Sequence, residues 1–148
     1  MPARSLPDCP ILLRGKRILV VEDEAIVAML IEDELLEAGA EVVGPAGSVG
    51  DALQLIEAAA ADGGLSAAVL DINLDGEAVR PVADTLAALG VPFLFATGYG
   101  EHCDTGGHEG AQVLHKPFDR HELLVAITDL MPDALATQPS PQGAAISL

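Results

Sequence analysis

The 148-residue sequence predicts an α/β domain built on a doubly wound, five-stranded parallel sheet of order 2-1-3-4-5. Short apolar runs alternate with stretches of helical period along most of the chain. Half of the residues are hydrophobic but only 3% are aromatic, so the core has to be built from Val, Leu, Ile and Ala. That composition suits parallel strands buried on both faces by helices. Several of the apolar runs also end in acidic or hydroxyl residues, and a doubly wound sheet places its site at the carboxyl ends of its strands.

Residues 1–15 carry three prolines and no sustained period, and are expected to form a flexible lead-in. One domain is expected over 16–131. Arg17-Ile-Leu-Val-Val21 is the first strand. The period then changes over Glu24–Ala38: Val27, Ile31, Leu35 and Ala38 share a face, Glu32, Asp33, Glu34 and Glu37 lie largely off it, and Gly39 ends the helix. Glu41-Val-Val43 is the second strand. Ser48, with Asp51 three residues on, opens a helix to about Ala61 in a pattern like a capping box. Ala67-Ala-Val-Leu70 is the third strand and Asn73-Leu-Asp-Gly76 a loop. The next helix runs to about Leu89, with Pro81 in its first turn. Val91–Ala96 and Gln112–Leu114 are the fourth and fifth strands. Asp119 and Glu122 begin the last helix, which Pro132 stops. The apolar helix faces are read as core.

Two stretches depart from this regularity. Residues 98–110 contain Gly98, Gly100, Gly106, Gly107 and Gly110, and each glycine costs about 1 kcal/mol relative to Ala inside a helix. The fourth helix is therefore expected to be weak or frayed, and the segment to be mobile until a bound phosphoryl group orders it. Residues 132–148, rich in Pro, Ser, Gln and Ala, are expected to form a disordered tail too short for an output domain.

The formal charge of −16 repels phosphate backbones and anionic membranes, which argues against nucleic-acid or membrane binding. No apolar run reaches the length of a membrane span, and the amino terminus lacks a signal-peptide core. Cys9 and Cys103 form no disulfide framework and fit a reduced, cytoplasmic setting. His102, Cys103, His108 and His115 match no zinc spacing and are read as exposed loop residues.

The strand ends carry the chemistry. The first strand delivers Glu22, Asp23 and Glu24, the third Asp71, the fourth Thr97 and the fifth Lys116, one of only two lysines. Clustered carboxylates repel one another unless a cation neutralises them. A ligand set of oxygens alone suits Mg²⁺ rather than zinc. A carboxylate nucleophile, a metal, a hydroxyl and an ammonium group are what phosphoryl transfer to an acid requires.

Four stretches then resemble the signatures of response-regulator receiver domains of the chemotaxis-regulator type: Val20-Val-Glu-Asp-Glu24, Ala68-Val-Leu-Asp-Ile-Asn73, Phe95-Ala-Thr-Gly98 and Lys116-Pro-Phe118. They cover residues 16–131 in the family's order. The resemblance implies the flavodoxin-like receiver fold, with Asp71 as phosphoacceptor and Asp23 as direct Mg²⁺ ligand. Glu22 would be its partner acid, and Asn73 would contribute its backbone carbonyl. It also implies that Thr97 reports phosphorylation, that Lys116 pairs with the phosphoryl group, and that Lys116-Pro117 is cis. Such a domain is not an enzyme toward other substrates but catalyses its own phosphorylation and dephosphorylation. Pro92-Phe-Leu-Phe-Ala-Thr-Gly-Tyr99 resembles the FATGUY subgroup, many of whose members are single receivers. This implies a sensor histidine kinase of the HWE class as partner, with a downstream protein target or phosphotransfer protein. Val113 stands where receivers often carry an aromatic residue, which leaves Tyr99, two residues after Thr97, as the ring that could contribute instead.

Three other readings are weighed at this level. A haloacid-dehalogenase-type phosphatase would want an Asp two residues after Asp71, where this chain has Asn73, and a flavin- or nucleotide-binding domain is disfavoured because no phosphate-binding glycine motif is present. A receiver-like module that binds partners without phosphorylation is the main alternative.

Overall fold

The computed structural model describes residues 13–74, 76–98 and 111–131. Its main sheet contains β1 (Arg17–Val21), β2 (Glu41–Ala46), β3 (Ala67–Asp71), β6 (Phe93–Thr97) and β7 (Gln112–His115). All are parallel, in the order β2-β1-β3-β6-β7. Counting only these strands, that is the expected 2-1-3-4-5. Four α-helices are described: α1 (Ala25–Glu37), α2 (Val49–Ala60), α3 (Arg80–Ala88) and α4 (Arg120–Leu130). The segment 98–110, on which the expected weak fourth helix and switching loop fall, lies outside the described residues except for Gly98, as do Tyr99, His102, Cys103, His108 and the tail 132–148.

Strand alternation divides the core in two. Ile18, Val20, Val69 and Leu94 point to one face, where they meet Ile31 and Leu35 of α1 and Leu123 and Ile127 of α4. Leu19, Val21, Ala68, Leu70 and Phe95 point to the other, against Ile56 of α2 and Val82 and Leu86 of α3. On this side Phe93 and Phe95 pack edge to face, with ring centres 5.5 Å apart. Packing begins at Leu13, inside the expected lead-in. Its side chain is fully buried, and its N–H donates to the Ala38 carbonyl at 2.7 Å.

The helix ends follow local chemistry. Gly39 adopts φ 93°, and the Gly39 and Ala40 N–H groups return to the Leu36 and Leu35 carbonyls, the double closure of a Schellman motif. Ser48 accepts from the Asp51 N–H at 3.1 Å. Asp119 and Glu122 complete a reciprocal capping box at α4.

Three features differ from the sequence reading. The second strand runs on to Ala46. The segment expected as a loop after Asp71 instead pairs β4 (Asn73–Leu74) with β5 (Glu77–Ala78) in a small antiparallel hairpin. Leu74 is the reason, because its side chain is only 2% exposed and anchors the hairpin in the α2–α3 side of the core. Finally, α1 is apolar beyond its core stripe. Ile26, Met29, Leu30 and Leu36 are each at least half exposed.

Candidate functional site: an acidic pocket at the carboxyl ends of the strands

The sheet brings the strand-end residues together where its order reverses, between β1 and β3. Glu22 continues β1 by one residue, its N–H donating to the Ala46 carbonyl at 2.8 Å. Its carboxylate is buried and accepts the Glu24 N–H at 3.1 Å, which fixes the turn into α1. Asp71 closes β3 and is 5% exposed. Glu22, Asp23 and Asp71 each offer a carboxylate oxygen within 4.8 Å of the others, and Asp23 is the most exposed of the three.

Lys116 follows the edge strand β7, and its aliphatic stem spans the width of β6 to reach these acids. Its Nζ lies 2.8 Å from Glu22 Oε1, 3.3 Å from Asp71 Oδ2 and 3.8 Å from Glu24 Oε1. Burial works against the charged ammonium. The hydrogen bonds and negative charges of Glu22 and Asp71 outweigh it and hold the Lys116 pKa above its ordinary value. The Lys116 N–H donates to the Thr97 carbonyl at 2.8 Å, so the backbone of β7 is locked to the end of β6 beside the lysine. Lys116-Pro117 is cis, as the resemblance implies, and Gly44-Pro45 is a second cis peptide that the sequence did not signal.

Thr97 ends β6 between β3 and β7 and is fully buried. Asn73 opens β4, two residues beyond Asp71. Val113 is half-buried against the α2–α3 side of the core. His115 is exposed as expected, but it ends β7 rather than lying in a loop, because it pairs with Thr97 across the sheet. The fold therefore gathers Glu22, Asp23, Asp71, Thr97 and Lys116 at one end of the sheet, with the backbone of Asn73 at its rim.

Four carboxylates, Glu22, Asp23, Glu24 and Asp71, gather around one ammonium. Like unit charges about 4.8 Å apart repel by about 3 kcal/mol at an effective dielectric of about 20. The surplus is negative and the donors are all carboxylate oxygens, the set that a hard divalent cation such as Mg²⁺ accepts. The residues present therefore fit such an ion.

Beside the pocket lies a groove of about 400 Å³ between α1 and the turn into α4. Val27, Leu30, Ile31, Pro117 and Phe118 supply its apolar walls, and Lys116 reaches its rim. Ile26, Met29 and Leu30 extend the apolar surface outward. Among the described residues no helix is long and apolar enough to cross a membrane.

No family model matches the chain, and no curated protein matches it. Solved structures do. The solution structure of SdrG from Sphingomonas melonis Fr1 is 40% identical, with 78% of this chain and 95% of that one covered and a TM-score of 0.68. The receiver domain of the PhyR response regulator from Erythrobacter litoralis is 26% identical over 87% of this chain and 96% of that one, with a TM-score of 0.67. The PhyR response regulator from Brucella abortus is also 26% identical with a TM-score of 0.67, and the chain spans 53% of its length. With its parallel five-stranded sheet, its acidic pocket and these neighbours, the chain belongs to the response-regulator receiver domains.

Proposed function

We propose that the chain is a phosphoacceptor in a two-component system, with Asp71 taking a phosphoryl group from the phosphohistidine of a sensor kinase. The observation that carries this reading is the buried Asp71 carboxylate, grouped with Glu22 and Asp23 and 3.3 Å from the Lys116 ammonium. Glu22, Asp23, Asp71 and the Asn73 backbone carbonyl would hold Mg²⁺, which neutralises charge on the phosphoryl oxygens. An Asp71 oxygen forms the new P–O bond while the P–N bond to the donor imidazole breaks, its electron pair leaving on the nitrogen. Lys116 exchanges part of its pairing with Asp71 for a phosphoryl oxygen, and the Thr97 hydroxyl donates to another. Apart from the donor, Mg²⁺ and a water for the later hydrolysis, the domain supplies the groups this cycle uses, which would make it the catalyst of its own cycle rather than an enzyme acting on other substrates.

Residues 16–131 form the receiver unit in this reading, and its output is a protein contact or onward relay. The apolar surface of α1 beside the Lys116 groove supports a protein partner, since exposed apolar patches next to a site mark binding faces. An HWE-class kinase and a cytoplasmic setting complete the proposal, resting on the FATG-Tyr stretch and the two scattered cysteines. The test is incubation with acetyl phosphate, once with Mg²⁺ and once with EDTA, followed by intact mass. One added phosphoryl group with Mg²⁺ alone is expected. No mass gain under either condition would leave the non-phosphorylated binding module as the better reading.

A further inference from the structure

We infer that Glu77 is a positioning residue for the metal site, acting through the amino terminus of α2. The inference rests on the reading that the acidic pocket binds Mg²⁺. The two chain segments that would share the ion, Glu22–Asp23 and Asp71–Asn73, lead into different elements, α1 and the β4–β5 hairpin. The start of α2 touches the first segment and the hairpin that follows the second. On one side the Glu22 N–H is bonded to the Ala46 carbonyl, and Gly47 lies beside the Asp23 backbone, where a Cβ would make ordinary contact with the Asp23 Cα at 3.9 Å. On the other side, two residues after Gly47, the Val49 N–H donates to Glu77 Oε1 at 3.3 Å.

That N–H is one of the first-turn donors that a helix cannot satisfy internally. Ser48 already caps the Asp51 N–H, so Glu77 supplies an anion from another element to the same helix end. Glu77 stands opposite Leu74 in the hairpin, and Asn73 stands opposite Ala78. Leu74 fixes the hairpin from below through the core, and Glu77 fixes it laterally to α2. With both anchors in place, the Asn73 backbone is held at a set distance from the Asp23 segment. Glu77 thereby joins the two halves of the metal site without belonging to the acid cluster itself.

Glu77→Ala removes the acceptor, whereas Glu77→Gln removes the charge and keeps an oxygen that accepts from Val49. Mg²⁺ binding to each variant is measured by calorimetry, and the Val49 amide is followed by NMR in metal-free protein. Glu77→Ala is expected to weaken Mg²⁺ binding by about tenfold, the low end of the effect of losing an outer-shell partner. The Val49 amide should also lose exchange protection, and the phosphorylation rate at saturating Mg²⁺ should stay within about twofold of wild type. Glu77→Gln should restore both binding and protection. Equal weakening in the two variants would overturn the inference in favour of simple charge attraction. Wild-type affinity in Glu77→Ala would overturn it outright, while the metal reading would stand. A wild-type protein that binds no Mg²⁺ would overturn both.

Discussion

Each end of the sheet holds a partly buried cation among acids, and the two clusters are built to opposite purposes. At the amino end, Arg17 donates to the Asp62 and Gly64 carbonyls at 2.5 and 2.8 Å, closing the end of α2. It also ion-pairs with Glu41 at 3.5 Å and more loosely with Asp62 at 4.0 Å, while its backbone exchanges hydrogen bonds with Ser66. Both acids are well exposed to water. At the carboxyl end, Lys116 faces Glu22 and Asp71, both nearly fully buried, with Asp23 beside them. The first cluster spends its cation largely on neutral carbonyls and leaves its acids solvated. The second concentrates more negative charge than its one cation can offset. A polar cluster that only holds the fold is close to balanced, and one that carries excess charge in a buried place is arranged for a ligand that supplies the rest.

The comparison breaks most visibly at Asp23. Asp23→Ala is expected to weaken Mg²⁺ binding by more than the roughly 10–100-fold cost of losing an outer-shell partner, because it deletes a direct anionic ligand. In metal-free protein the same change should stabilise the fold, by about 1 kcal/mol, since it relieves repulsion among like charges. A denaturant titration in EDTA reads this, and a loss of stability would show that the pocket is balanced without metal. The converse is expected at the other end. Arg17→Ala should cost about 1–3 kcal/mol through the lost bonds to carbonyls, without altering Mg²⁺ affinity.

The smallest effect concerns pH. The Lys116 pKa is raised on folding, so its pairing contributes fully below the unfolded value of 10.5 and is lost as pH climbs through the higher folded value. Stability followed from pH 9 upward should therefore fall more gently in Lys116→Met than in wild type.

Most of this site was legible before any coordinates, for a physical reason. A change from strand period to helical period marks where a strand ends, and in a parallel sheet all such ends lie on one edge. Glu22, Asp71, Thr97 and Lys116 could thus be placed side by side from periodicity and composition alone. Glu77 could not, because its partner is a backbone N–H 28 residues away, and neither residue type announces it. The hairpin that carries Glu77 depends on Leu74 finding the core, which a loop-like run of Asn, Leu, Asp and Gly conceals. The outward apolar residues of α1 were hidden by their own stripe. Ile26, Met29 and Leu30 lie one position from the core-facing Val27, Ala28 and Ile31, so helical spacing alone does not say where the core-facing arc stops.

The central claim, that Asp71 is the residue phosphorylated, is tested most directly by chemical trapping. An aspartyl phosphate is reduced by borohydride to homoserine, which marks the modified position in the peptide sequence. Protein treated with acetyl phosphate and Mg²⁺, then reduced and digested, is predicted to carry homoserine at position 71, with none in the Asp71→Asn variant. Homoserine at position 23, or a labelled protein with an unmodified Asp71 peptide, would contradict the account.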